Sequence, residues 1–204
     1  SWSFLSESEY KSPGPRQFSR ACERARRSFS VSVHAREDGY VNDFMIEQIL
    51  REWPPGYGGV ERVAHELACV WGGTVYSFDA QGHGLQEEDC LPVSYNRRIL
   101  PCTWPLGRFI LPLPSFGLWE LLNSPQHLHG HLPSPGVLLV LFVAKLLRPK
   151  RKVTAHWHFF LQCDSSVKGY LMSFYQLIAL WVVRRLSMVT TTSPVLAQNL
   201  VLSG

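Results

Sequence analysis

The sequence predicts an α/β domain, a Rossmann-like parallel sheet with helices on both faces. Two observations carry that prediction. From residue 45 onward, apolar runs of strand length alternate with longer stretches whose apolar residues recur at offsets of three and four. The helix entrances carry their own signals: a glycine pair, Gly58-Gly59, and the Ser-Pro pairs Ser134-Pro135 and Ser193-Pro194. Ligands of such folds bind outside the carboxyl ends of the strands, and every candidate site residue below is expected at such an end.

Residues 1–44 stand apart. They are rich in Ser, Arg and Glu, with scattered aromatics and neither the strand period nor the helix period. They read as an irregular N-terminal extension or a misassigned start, and the domain is expected to span 45–204. Residues 45–51 read as the first strand. They lead into Pro54-Pro55-Gly56-Tyr57-Gly58-Gly59, after which Val60, Val63, Ala64, Leu67, Ala68 and Trp71 mark an amphipathic helix, with Glu61, Arg62, His65 and Glu66 between them. A glycine pair at a helix entrance leaves backbone N–H groups unpaired and lets a ligand approach the main chain. With the helix dipole, that suits a phosphate or diphosphate; the same pair also serves many αβ turns for steric reasons alone. Gly72-Gly73 stop the helix, and Thr74–Phe78 is the next strand, which completes a βαβ unit.

Residues 79–126 are punctuated by Gly82, Gly84, Pro92, Pro101, Pro105, Pro112 and Pro114 around short apolar runs such as 108–111. Loops with one or two short strands are expected there, and Ser115 is placed to cap a short helix reaching Leu122. After Gln126 the pattern sharpens. His127–Leu132 reads as a strand, Ser134-Pro135 as a cap and first helical residue, and 137–147 as a helix apolar enough to be buried between layers, ending before Pro149. A basic turn of Arg148, Lys150, Arg151 and Lys152 leads to a strand over 153–160. A helix over about 169–186 carries Leu171, Phe174, Tyr175, Ile178, Trp181 and Val182 on one side. Residues 187–192 form the last strand before the Ser193-Pro194 entrance to a final helix.

Composition narrows the function. An apolar share of 46% in 204 residues suffices for one packed core, and 18% charged argues against disorder throughout. A net charge of +4 favours anionic partners such as nucleotides or lipid headgroups and falls short of the basic footprint of a nucleic-acid binder. Five cysteines, an odd number without Cys-x-x-Cys spacing, fit reduced structural thiols in a cytoplasmic protein. The longest apolar run, 137–147, contains Lys145 and falls short of the roughly 20 residues a membrane span needs. No charged-then-apolar leader is visible. Membrane contact is therefore expected to be peripheral, at the inner face.

Five histidines fall in two strands: His127, His129 and His131 in one, His156 and His158 in the other. Residues two apart on a strand share a face, so each group points its imidazoles together. Three readings stand. Nitrogen ligation of a metal is one, although no Cys, Asp or Glu sits beside them at metal spacing. Polar strand-end residues bonded to neighbouring loops is another. The third is a cleft where an imidazole contacts a polar, anionic substrate, which suits His156 best, with His129 and His131 behind it. The basic turn reads as solvated; beside an apolar helix and Trp157, Trp181 and Phe174 it is also a candidate contact with an anionic membrane.

Four segments together resemble the N-terminal domain of the family 4-type glycosyltransferases of the GT-B fold. They are Pro54-Pro55-Gly56-Tyr57-Gly58-Gly59-Val60-Glu61-Arg62, His129-Gly130-His131-Leu132-Pro133, Val153-Thr154-Ala155-His156 and Thr191-Thr192-Ser193-Pro194, in matching order and spacing over about residues 45–204. The resemblance implies transfer of a sugar from a nucleotide-sugar donor to an acceptor hydroxyl, with retained anomeric configuration, no obligatory metal and no cofactor besides the donor. It implies that Gly58 and Gly59 face the donor diphosphate and that His156 lies near the transferred sugar. Glu61, His129, His131, His158 and Ser193 are further candidate substrate-binding residues. The acceptor is implied to be a glycan or a lipid-linked one.

Two departures stand out. The family's common pattern is His-x-Asp where this chain has His158, so a role for that Asp has no counterpart. The family's C-terminal domain, which binds most of the nucleotide and carries Glu-x7-Glu, lies beyond this sequence. The polypeptide alone is therefore expected to have little or no transferase activity, because electrostatic stabilisation of the leaving diphosphate is largely missing. The alternative is a non-enzymatic half-domain that binds a glycan, lipid or protein partner, with a metal-dependent hydrolase third.

Overall fold

The structure, a computed structural model, describes residues 45–52, 58–79, 95–103, 109–160 and 167–203. Six strands pair in parallel: β1 (Ile46–Leu50), β2 (Thr74–Phe78), β3 (Asn96–Leu100), β4 (His127–Leu132), β5 (Val153–Trp157) and β6 (Met188–Thr191). Their order in the sheet is β3-β2-β1-β4-β5-β6. Five helices accompany them among the described residues: α1 (Gly59–Trp71), α2 (Phe116–Asn123), α3 (Pro135–Leu147), α4 (Val167–Val183) and α5 (Pro194–Leu202). The expected α/β sheet is therefore present. Its order reverses direction between β1 and β4, and the carboxyl ends at such a point are where ligands of open parallel sheets bind.

Side-chain alternation divides the interior. Leu50 and Val75 point towards α1, where they pack with Ala64, Ala68, Cys69 and Tyr95. Ile49, Tyr76, Leu128 and Ala155 point the other way, into a larger core with Leu141 and Ala144 of α3 and Ala179 of α4. The helices α2, α3 and α4 pack in sequence on that second face. Burying apolar area at about 25 cal/mol per Å2 makes this face the principal stabilising layer.

Glycine matters at two joints. Gly73 has φ +83°, and a Cβ there would lie 2.4 Å from the Ile46 carbonyl oxygen. The predicted helix stop thus also sets how closely β2 enters beside β1. At Gly136 a Cβ would meet the Ile110 carbonyl oxygen at 2.4 Å, so α3 starts hard against that loop.

Several expectations need correction. The strand expected over 153–160 ends at Trp157, where its pairing with β4 and β6 runs out. Helix α4 runs from Val167 to Val183, and of the side predicted for its apolar face only Tyr175 and Val182 are buried; Leu171, Phe174, Ile178 and Trp181 are exposed. The buried side is completed by Ala179, Leu180 and Val183. A helix with apolar residues on two sides has two candidate faces, and only the neighbouring strands choose between them. Ser134 occupies the cap position of α3 without a side-chain cap bond. The basic turn is not wholly solvated, since Arg151 is buried. Cys69 is disulfide-bonded, contrary to the reduced-thiol expectation; spacing alone does not reveal which thiols the fold brings together. Cys102 is free. The extension at 1–44 and the loop residues 53–57 lie outside the described residues. No helix among the described residues is long and apolar enough to cross a membrane.

Candidate active site

Alternation in β4 and β5 brings the histidines together. His127, His129 and His131 leave β4 on the face that α1 covers, while Leu128 and Leu132 enter the opposite core. The register pairs His129 with Thr154 and His131 with His156. Ring centroids lie 5.2 Å apart for His129 and His131, 5.4 Å for His131 and His158, and 4.4 Å for His156 and His158. The rings form a row from mid-sheet to the carboxyl edge. His129 sits in the middle of its strand, not at the end where it was expected, and Trp71 of α1 meets it edge-on at 5.2 Å.

Hydrogen bonds fix the row. Gln48 Oε1 accepts from His131 Nε2 at 2.9 Å. A neutral His131 then carries a lone pair on Nδ1, so His158 Nε2–H donates to it at 3.1 Å. Thr154 Oγ1 bonds both His127 Nε2 and His129 Nδ1 at 2.8 Å. Thr190 Oγ1 donates to the Ala155 carbonyl at 3.4 Å. Its one proton thus spent, it accepts from His156 Nδ1 at 3.2 Å and leaves the lone pair on His156 Nε2. Three polar nitrogens of this face, Gln48 Nε2, His129 Nε2 and His156 Nε2, are buried without a hydrogen-bond partner among the described residues.

Electrostatics keep the row neutral. Burial, reinforced by the neighbouring imidazoles, holds His129 down to about 3 and His158 down to about 4. The same causes keep His131 well below the ordinary value, and burial lowers His156. At neutral pH the face offers hydrogen bonds without charge. That suits hydroxyl groups better than a phosphate. Among the described residues, no group of three or more His, Cys, Asp or Glu is arranged to hold a metal ion.

The glycine entrance stands at the end of β1. Gly58 and Gly59 are exposed, and a Cβ on Gly59 would meet nothing within 4 Å among the described residues. No steric need of the described fold therefore explains Gly59. The Gly58 N–H, however, donates to Glu61 Oε2 at 2.9 Å, so Glu61 acts as a cap. Ser193 is likewise a cap, its hydroxyl accepting from the Leu196 N–H at 3.3 Å at the start of α5. Gly58, His158 and Ser193 follow the carboxyl ends of β1, β5 and β6 respectively.

Sequence reasoning passed over Gln48, Thr154, Thr190 and Trp71. A polar Gln within a buried parallel strand was the available signal, because such strands are near-continuously apolar. The others needed the register. A separate apolar hollow of about 370 Å3, lined by Leu180, Val183, Val189 and Leu200 among others, lies between α4, β6 and α5. Val189 and Thr191 project there while Thr190 turns to His156, so the hollow lies across the sheet from the histidines.

No curated protein and no solved structure matches the chain. The family model described as Glycosyltransferase Family 4 matches residues 57–204, a span that opens at the glycine entrance and takes in every strand after β1 and the whole histidine row. On that match, carried by a parallel sheet with the expected order of elements, the chain belongs to glycosyltransferase family 4.

Proposed function

We propose that this chain is the acceptor-side domain of an enzyme that moves a sugar from a nucleotide-sugar donor to an acceptor hydroxyl, with retention of anomeric configuration. It works with a donor-binding partner domain, and its acceptor is a glycan or a lipid-linked glycan. One observation carries the reading. His156 is half-buried at the end of β5, its ring oriented by Thr190 and its Nε2 lone pair without a partner among the described residues. A neutral imidazole held that way accepts a hydrogen bond from a sugar hydroxyl and orients the sugar for attack. Gln48, His131 and His158 support the ring from behind through their hydrogen-bonded row.

The donor diphosphate binds at the first turn of α1. There the backbone amides and the helix dipole favour an anion, and the absent Cβ of Gly59 admits it. Binding displaces the Glu61 carboxylate from the Gly58 N–H, since two anions do not share one donor. Amides aimed at the departing diphosphate stabilise charge as it develops.

A transfer assay with the donor-binding partner domain present tests both halves. His156→Ala is expected to lower kcat by about a hundredfold, within the range for a positioned polar group, with an unchanged melting midpoint. A loss confined to thermal stability would make the ring structural. Gly59→Asp is expected to abolish turnover by repelling the diphosphate; retained activity would remove the loop from the site.

A further inference from the structure

Helix α4 turns an apolar stripe to solvent. Tyr170, Leu171, Phe174, Leu177, Ile178 and Trp181 are all exposed, Tyr170 at 70% and Leu177 at 66%, and their spacing places them on one side of the helix. Trp181 meets Phe142 of α3 with ring centroids 5.7 Å apart. The exposed Leu139 and Leu146 of α3 extend the patch beyond that contact. Contiguous apolar surface of this kind marks an interaction site.

Charge identifies what covers it. From Leu121 onward the sequence holds eight basic residues and a single acid, Asp164, although the net charge of the whole chain is only +4. No Asp or Glu occurs in α3, α4 or α5. The basic residues gather where the helices return to the sheet: Arg148, Lys150 and Lys152 before β5, Arg184 and Arg185 before β6. Because β5 and β6 are parallel neighbours, these two turns lie side by side at the amino-terminal edge of the sheet. Arg185 joins the two features, with its guanidinium 3.5 Å from the centroid of the Trp181 ring. A second copy of the chain carries the same basic rim and offers it no opposite charge.

We propose that the α3–α4 face docks on an anionic lipid surface. Helix α4 lies in the interface plane with its apolar stripe inserted, and the basic rim rests on the headgroups. This corrects the sequence-based candidate contact, since Trp157 is in the core and Arg151 is buried, whereas Phe174 and Trp181 belong to the surface. The histidine row lies on the opposite face of the sheet, so the inference does not depend on sugar transfer.

Vesicle co-sedimentation of the chain tests it without any activity assay. Binding to phosphatidylcholine vesicles containing about 30% phosphatidylglycerol is expected to exceed binding to pure phosphatidylcholine by at least about tenfold, and to weaken in high salt. Combining Phe174→Asp with Leu177→Asp should remove binding to both with no change in melting midpoint, because both side chains are exposed. Combining Arg184→Glu with Arg185→Glu should erase the preference for anionic vesicles. Equal binding to neutral and anionic vesicles would overturn the proposal. So would Asp variants that bind like the parent, or light scattering that shows a dimer dissolved by the Asp pair while the parent ignores vesicles.

Discussion

Arg151 is one of four basic residues in its turn, yet its guanidinium is buried. It donates to the Gln126 and Leu121 carbonyls, both at 2.7 Å, and to Glu47 Oε2 at 2.6 Å. Burial raises the Glu47 carboxyl above its ordinary range while the Arg151 charge opposes the rise. A buried ion pair adds little net stability, but removing one partner strands the other. Arg151→Met should therefore cost about 3–5 kcal/mol in urea denaturation. Combining it with Glu47→Leu should recover most of that loss; a double variant no more stable than the single would show that the two charges are not coupled. Nothing in the local pattern separates Arg151 from Lys150 and Lys152, because the distinction arises from Glu47, a hundred residues earlier and on another strand.

At the scale of elements, the two glycines at helix entrances behave oppositely. Gly136, the second residue of α3, lies against the Ile110 carbonyl, so Gly136→Ala forces a backbone shift and should destabilise by at least about 1 kcal/mol. Gly59 begins α1 with no described residue within 4 Å of an added Cβ, so Gly59→Ala should leave stability unchanged or raise it by up to about 1 kcal/mol through helix propensity. If the loop receives the donor diphosphate, the same alanine weakens donor binding while the melting midpoint holds or rises. A paired measurement of midpoint and donor affinity checks both. Element boundaries were legible wherever caps and breakers punctuate the chain: Thr74–Phe78 and His127–Leu132 emerge as expected, and Ser115 caps α2 through the Leu118 N–H. Strand β3 was not located, because Asn96-Arg97-Arg98 lacks the apolar signal of a buried strand.

For the whole molecule, the histidine row ties stability to pH. Unfolded, His129 and His158 titrate near the ordinary value of 6.5; folded, near 3 and 4. Between those values the unfolded chain binds more protons. Stability is thus full above about pH 6.5 and is lost as pH falls towards 4, by up to about 1.4 kcal/mol per pH unit for each histidine. The urea midpoint should drop between pH 7 and 5, and His129→Gln or His158→Gln should flatten the dependence. A profile that stays level over that interval in the parent would refute the assignment of the row as neutral.

The chain by itself determined the alternation of strands and helices, the glycine and Ser-Pro entrances and the kinship they imply. These are local signals, written by backbone sterics and side-chain periodicity within a few residues. Tertiary structure decided the rest: which face of α4 is buried, that Arg151 is paired, and that Gln48 and Thr190 orient the imidazoles. Those facts depend on strand order and register, which bring distant residues within hydrogen-bond reach, and no local window carries that information.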